Sequence, residues 1–279
     1  MKYIKTEHFA EKENMSVLGV GMGNMQDTPA KEIEAIIRRA IEAGINVFDI
    51  CAGGKNVFRP VAKAIAGVRD KLILQLHFGA GFDELGEYEW IREFDRIRDT
   101  FDRELRQLKT DYADVGILHC VDDMEDMKSL RDDGVLDLMK ELKQKGRLRH
   151  LGFSTDTPAV AEALIELGIF DIAMLPVNPV DVMKDESGFK TVADKCREMG
   201  VTVIAMHVFG GGALLDADKA PDGRAMTCDE CLWYALETYG AAAAVTGVRS
   251  LAELEEVLAY GKSDVRKYEY GKQLPCACC

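Results

Sequence analysis

Residues 16–23 read Ser16-Val17-Leu18-Gly19-Val20-Gly21-Met22-Gly23. The run is apolar enough for a first strand over residues 16–22, and its glycines decide between two folds. An open, doubly wound sheet carries a Gly-x-Gly-x-x-Gly turn after its first strand, where the helix begins. Here the spacing differs and polar loop residues follow, which argues against that fold. A helix is expected next over residues 31–43. Its apolar positions Ile33, Ile36, Ile37, Ala40 and Ile41 recur at helical spacing, and Gly44 stops it.

The same rhythm recurs along the chain. Strands are expected over residues 45–50, 72–78, 114–118, 150–154, 170–175, 201–206 and 241–246. Helices are expected over residues 57–66, 90–108, 135–145, 158–167, 189–199, 228–237 and 251–260. Short apolar strands alternating with amphipathic helices across short connections imply a parallel sheet closed on itself, an α/β (β/α)8 TIM barrel. Residues 1–15 read as a short N-terminal hairpin capping one end. The barrel then takes residues 1–262 and leaves 263–279 as a Cys-containing tail.

The 279 residues fit one such domain, and their mixture of 47% hydrophobic and 30% charged residues suits a globular core. The net charge of −13 argues against nucleic acid, whose phosphates require a basic surface. Met1-Lys2-Tyr3-Ile4-Lys5-Thr6-Glu7-His8 has no apolar signal core, and no run approaches the roughly 18 apolar residues of a membrane span. The expectation is a cytoplasmic protein with a small-molecule substrate and neither a nucleic-acid nor a membrane partner. Its oligomeric state is not legible. Of its eight cysteines, Cys51, Cys120, Cys196, Cys228 and Cys231 are scattered and three crowd into Cys276-Ala277-Cys278-Cys279. In a reducing compartment these are thiols or ligands rather than disulfides. Cys228-Asp229-Glu230-Cys231 has metal-ligand spacing but no partner pair, and reads as two incidental thiols.

Chemistry in a barrel of this kind sits at the C-terminal strand ends and the loops that follow. Three stretches, Ala43-Gly44-Ile45-Asn46-Val47-Phe48-Asp49, Asp111-Tyr112-Ala113-Asp114 and Gly146-Arg147-Leu148-Arg149-His150-Leu151-Gly152-Phe153-Ser154, are followed by Gly247-Val248-Arg249-Ser250 and an acidic helix. In this order they resemble the aldo-keto reductase family over nearly the whole chain. The resemblance implies a NADP- or NAD-dependent oxidoreductase acting on a small carbonyl or hydroxyl substrate through an Asp-Tyr-Lys-His tetrad. By position the Asp is Asp49 and the His is His119. Gly53-Gly54-Lys55 stands where the Tyr is expected, and His77 where the Lys is. The cofactor residues it implies are Ser154, Asn178, Gly210, Gly211, Gly247, Arg249 and Ser250. The family's Ser-Asn pair has become Ser154-Thr155, however, and its Gln and stacking Tyr have become Met174 and Val177. Glu253 stands where NADP users often carry Gln or a basic residue. The tail resembles the start of the ferredoxin-like, iron-sulfur-binding extension of one bacterial branch, here cut short or vestigial.

The substitutions suggest other chemistry too. Asp49, His77 and His119 end three successive strands and should converge in the barrel mouth as acid-base residues, with His77 in the acid's place. Lys55 could swing in, although a solvated loop lysine is the plainer reading. With His207, which ends the seventh strand, the same three residues form a set for a Zn or Fe ion. Cys51 and Cys120 lie beside members of this set. Because strand neighbours face opposite ways, at most one of each pair is expected to face the mouth. Three readings stay open: a divergent reductase; a non-redox lyase, isomerase or hydrolase using Asp49, His77 and His119; and a non-catalytic barrel. The acidic loops at residues 78–89 and 121–133 are the expected substrate-shaping insertions.

Overall fold

The computed structural model describes residues 1–6, 8–9, 14–51, 56–184, 188–221 and 223–262. Two short strands, β1 (Tyr3–Ile4) and β2 (Met15–Ser16), pair antiparallel at the N-terminus. They are followed by β3 (Leu18–Gly21), α1 (Ala30–Glu42), β4 (Val47–Ile50) and α2 (Phe58–Ala64). Next comes β5 (Ile73–Phe78), then a hairpin of β6 (Ala80–Phe82) and β7 (Tyr88–Trp90), then α3 (Phe94–Leu108). β8 (Ala113–Leu118) continues through α4 (Met124–Asp132) to α5 (Val135–Gln144), and β9 (Leu148–Ser154) leads to α6 (Pro158–Glu166). β10 (Ile172–Pro176) passes through α7 (Pro179–Lys184) to α8 (Gly188–Met199). β11 (Thr202–Met206), α9 (Cys228–Trp233), β12 (Ala243–Gly247) and α10 (Leu251–Leu258) complete the described chain. The barrel closes in the order β3-β4-β5-β8-β9-β10-β11-β12, with β12 pairing parallel to β3. Among the described residues no helix is long and apolar enough to cross a membrane.

Two cores follow from the strand period of two. Val47, Ile73, Val115, Ile117, Ile172 and Ile204 fill the barrel lumen, with Phe9 and Met15 packed into the same cluster. The alternate positions, such as Phe48, Leu74, Leu118 and Phe153, pack outward against the helices. Gly19 and Gly21 belong to the inward set of β3. A Cβ on either would meet Val245 at 3.0 Å, so the bulk of β12 occupies the space their side chains would need.

The helix expected over residues 90–108 begins later, because residues 80–90 form the hairpin instead. Its turn is held locally: Asp83 Oδ1 accepts the Gly86 and Glu87 N–H groups at 2.8 and 3.0 Å, and Gly86 takes φ 93°. The loop expected over residues 121–133 contains α4, capped where the Asp123 side chain accepts the Asp126 N–H. The helix expected over residues 228–237 turns from α-helical to π-helical over Tyr234–Thr238. The tail cysteines at 276–279, and Gly53, Gly54 and Lys55, lie outside the described residues.

One buried acid on α3 has a testable consequence. Glu104 is 1% exposed, and its Oε2 has no hydrogen-bond partner. Burial pushes its carboxyl up to about 8, against weaker opposing pulls from Arg103 and His77. The unfolded chain ionises near 4.5, so between there and 8 it releases a proton that the folded chain keeps. Stability from this group is therefore full below pH 4.5 and is lost as pH rises toward 8. Glu104→Gln should remove that decline, raising stability at pH 8 by on the order of 4 kcal/mol at about 1.4 kcal/mol per pKa unit, with little change at pH 4.5. Urea unfolding at the two pH values checks it. Parallel pH profiles for the two proteins would refute it.

Candidate active site

The inward positions of three adjacent strands build the site. β4 and the residue after it supply Asp49 and Cys51, β5 supplies Gln75 and His77, and the end of β8 leads to His119. Asp49 lies opposite Gln75, and His77 opposite Ile117, two residues before His119. Each strand therefore delivers its polar side chain one layer above the apolar lumen. Asp49, His77 and His119 are all buried.

These groups form a connected chain. His77 Nε2 donates to Asp49 Oδ1 at 2.8 Å, and Gln75 Nε2 donates to the same oxygen at 3.1 Å. On the other edge of its ring, His77 Nδ1 lies 2.9 Å from His119 Nδ1. His119 Nε2 lies 2.8 Å from the Tyr88 hydroxyl, and its Nδ1 lies 3.7 Å from Cys51 Sγ. Burial lowers the pKa of His77, but the charges of Cys51 and Asp49 outweigh it and hold the imidazole well above its ordinary value. Burial, then the charges on His77 and Arg92, pushes His119 well below. The shared proton therefore sits on His77, whose Nδ1–H donates to His119. His119 is then left with an Nε2–H to donate to Tyr88. Burial, reinforced by Cys51 and Cys120, pushes the Tyr88 hydroxyl up to about 12, so it keeps its own proton at neutral pH.

Tyr88 is the residue that sequence reasoning missed. It arrives on β7, across the hairpin, and Arg92 ties that hairpin down. The Arg92 guanidinium donates to the His119 and Cys120 carbonyls at 2.9 and 3.1 Å, pairs with Asp126 of α4 at 2.7 Å and stacks over Trp90. Cys51 was missed for a simpler reason. It stands two residues from Asp49 rather than beside it, so both share the inward face. Cys120 follows His119 at φ 42°, and burial pushes its thiol up to about 12.

A groove of about 610 Å³ runs from this cluster to the start of α10. Ser154, Gly211, Gly247 and Arg249 line it, together with His207, Glu253 and Glu256. His207 stands apart from the two other histidines of the groove, with its side chain 54% exposed and 3.6 Å from Asp156. Asn178 turns away. It is fully buried, its Nδ2 donates to Asp181 and to the His207 carbonyl, and its Oδ1 accepts the Asp181 N–H. Ser154 Oγ accepts the Cys120 N–H at 2.9 Å. Gly210 closes the turn by donating to the His207 carbonyl, and Ser250 caps α10. Cys228 and Cys231 are protonated thiols, both pushed up to about 12, chiefly by burial.

A family model described as the aldo/keto reductase family matches residues 17–229. Among curated proteins, the uncharacterized oxidoreductase YqkF of Bacillus subtilis (strain 168) is 24% identical over 273 residues, covering 87% of each chain. Oxidoreductase YdhF of Escherichia coli (strain K12) is 30% identical over 136 residues, 48% of this chain and 42% of that protein. Among solved structures, the holo form of aldo-keto reductase AKR11C1 from Bacillus halodurans superposes with a TM-score of 0.71 at 22% identity. That match covers 88% of this chain and 86% of the other.

Proposed function

The chain belongs to the aldo/keto reductase family, and from that premise we propose that it is an oxidoreductase that uses a nicotinamide dinucleotide on a small carbonyl or hydroxyl substrate. The observation that carries this reading is the single groove joining the Asp49–His77–His119 cluster to Gly247, Arg249 and Glu253. Its volume lies in the range of cofactor clefts, roughly 300–1,000 Å³. The glycine loop supports a diphosphate beside it. Gly210, Gly211 and Gly212 take φ 56°, 66° and 91°, a run that glycine adopts without strain, and Gly211 and Gly212 present backbone rather than side chain to the groove. These features fit the adenosine diphosphate half of the cofactor. At the other end Ser154 and Met174 face the groove.

When bound, the dinucleotide supplies or accepts a hydride. The chain's own residues handle the proton. All four ring nitrogens of His77 and His119 are engaged, so the hydroxyl donor that this described hydrogen-bonded chain offers a substrate oxygen is the Tyr88 O–H. His119 orients that hydroxyl, and His77, held by Asp49, stands behind His119 to replace the proton. In this reading Tyr88 takes over the acid role for which the sequence has Gly53-Gly54-Lys55.

NADH is the preferred form. Arg249 is already paired with Glu253 at 3.2 Å, and Glu253 also accepts the Arg249 N–H at 2.7 Å. With Glu256 also lining the groove, a 2′-phosphate would face two carboxylates, whereas a free ribose hydroxyl could donate to one. NADH in hundredfold excess over its Kd should stabilise the protein by about 2.7 kcal/mol, visible as a rise in Tm. NADPH should do less at equal concentration, and Glu253→Gln should narrow the gap. If millimolar NADH and NADPH both leave Tm unchanged, the reading fails.

A further inference from the structure

Cys51 Sγ and one ring nitrogen each from His77 and His119 lie within 4.8 Å of one another. We propose that these three side chains form a binding site for one Zn²⁺, whose fourth coordination position faces the groove. The donor set is one thiolate and two imidazoles, the borderline-soft combination that zinc favours, and three protein ligands with one open position are the pattern of reactive rather than structural zinc.

The spacing agrees. Tetrahedral zinc at about 2.0–2.1 Å from nitrogen and 2.3 Å from sulfur sets N···S near 3.6 Å and N···N near 3.3 Å. Cys51 Sγ stands 3.7 Å from His119 Nδ1, already at that separation. The two Nδ1 atoms, at 2.9 Å, are held together by a shared proton and need to part by about 0.4 Å when a metal replaces it. The outer shell is in place as well. The far nitrogen of His77 is bonded to the Asp49 carboxylate and that of His119 to the Tyr88 hydroxyl. Metal-binding histidines carry such partners as a rule, because they fix the ring and the tautomer. The three ligands and Asp49 all border the groove, so the open position is reachable.

A second trio at the other end of the barrel, His8, His150 and Asp171, makes a useful contrast. There the carboxylate already accepts Lys143 Nζ at 2.6 Å and the Leu151 N–H at 3.1 Å, so a cation is built in. At the Cys51 site no Lys or Arg side chain among the described residues is bonded to the inward-facing atoms, which meet one another. Zinc uptake must displace the shared proton, so affinity falls as pH falls. Loaded, the site would offer the groove a Lewis acid.

Metal binding does not rest on the dinucleotide reading, and it is measured without cofactor or substrate. The untagged full chain is stripped with chelator and titrated with Zn²⁺ against a competing dye. Co²⁺ then serves as the spectroscopic probe. The expected result is tight uptake that includes one equivalent dependent on Cys51. Cys51→Ser should lose that equivalent, together with its share of the thiolate-to-cobalt charge-transfer band. Asp49→Asn, which alters a positioning residue, should keep the band and weaken affinity by about 10–100-fold. An unchanged near-UV circular dichroism spectrum confirms that the variants are folded. No Zn²⁺ uptake by the stripped protein would overturn the proposal. So would equal stoichiometry and band intensity in wild type and Cys51→Ser, which would put the metal on other cysteines.

Discussion

His119→Ala should lower kcat/KM for NADH-linked carbonyl reduction by about 10²–10⁴-fold, the range that positioned acid-base groups contribute. The loss follows from where the ring sits. Its two nitrogens reach His77 Nδ1 and the Tyr88 hydroxyl, at 2.9 and 2.8 Å. Removing it takes away the His119 acceptor of the His77 Nδ1–H and the donor to the Tyr88 hydroxyl. The proton chain is cut in the middle. NADH binding should be unaffected, because the contacts proposed for the adenosine end lie at the end of β12, on α10 and on the glycine loop. The expected pattern is therefore a fall in kcat with an unchanged NADH-induced rise in Tm. Tyr88→Phe keeps the ring and removes only the hydroxyl, so it should show a large part of the same fall. A His119→Ala protein within threefold of wild-type kcat/KM would sink the role assigned to this residue.

The barrel was legible because its signals are periodic. Helical spacing in residues 31–43 and the short apolar runs are local properties, and the closed sheet requires them. Asp49, His77 and His119 could be placed together because each ends a strand next to the others. Cys51 was within reach of the same period-two rule, since it stands two residues from Asp49. Tyr88 was not. It reaches His119 only because Asp83 and Gly86 turn the chain back, and the charged residues from 90 onward read as an unbroken helix. Asn178 shows the opposite limit. Its place in the resemblance made it a cofactor residue, yet its amide is used to tie Asp181 to the His207 carbonyl. Resemblance carried the position of this side chain but not its direction.

Asp111-Tyr112-Ala113-Asp114, which helped to mark the family, leads to the second large effect, and that effect is on stability. Asp114 is the second residue of β8, at the opposite end of the strand from His119, and its side chain is completely buried. Its Oδ2 accepts the Leu74 N–H at 3.0 Å and Arg69 Nη1 at 2.7 Å, while Arg149 stands 3.7 Å from Oδ1. Arg69, only 14% exposed, also donates to the Leu72 and Tyr112 carbonyls and stacks on the Tyr112 ring. A single carboxylate thus neutralises a nearly buried guanidinium and satisfies a backbone N–H of the adjacent strand. Asp114→Ala removes both functions at once and leaves a charge with little access to water. Breaking a buried pair from one side costs about 3–5 kcal/mol, a large share of the roughly 5–15 kcal/mol that holds a domain folded. Asp114→Asn keeps an acceptor for the Leu74 N–H and should cost less. Because the pair lies at the closed end of the barrel, kcat at temperatures where the variants remain folded should stay near wild type. Urea unfolding of the two variants measures the difference. A loss below about 1 kcal/mol for Asp114→Ala, the value of an ordinary surface pair, would mean that Arg69 finds another partner or solvent once the carboxylate is gone.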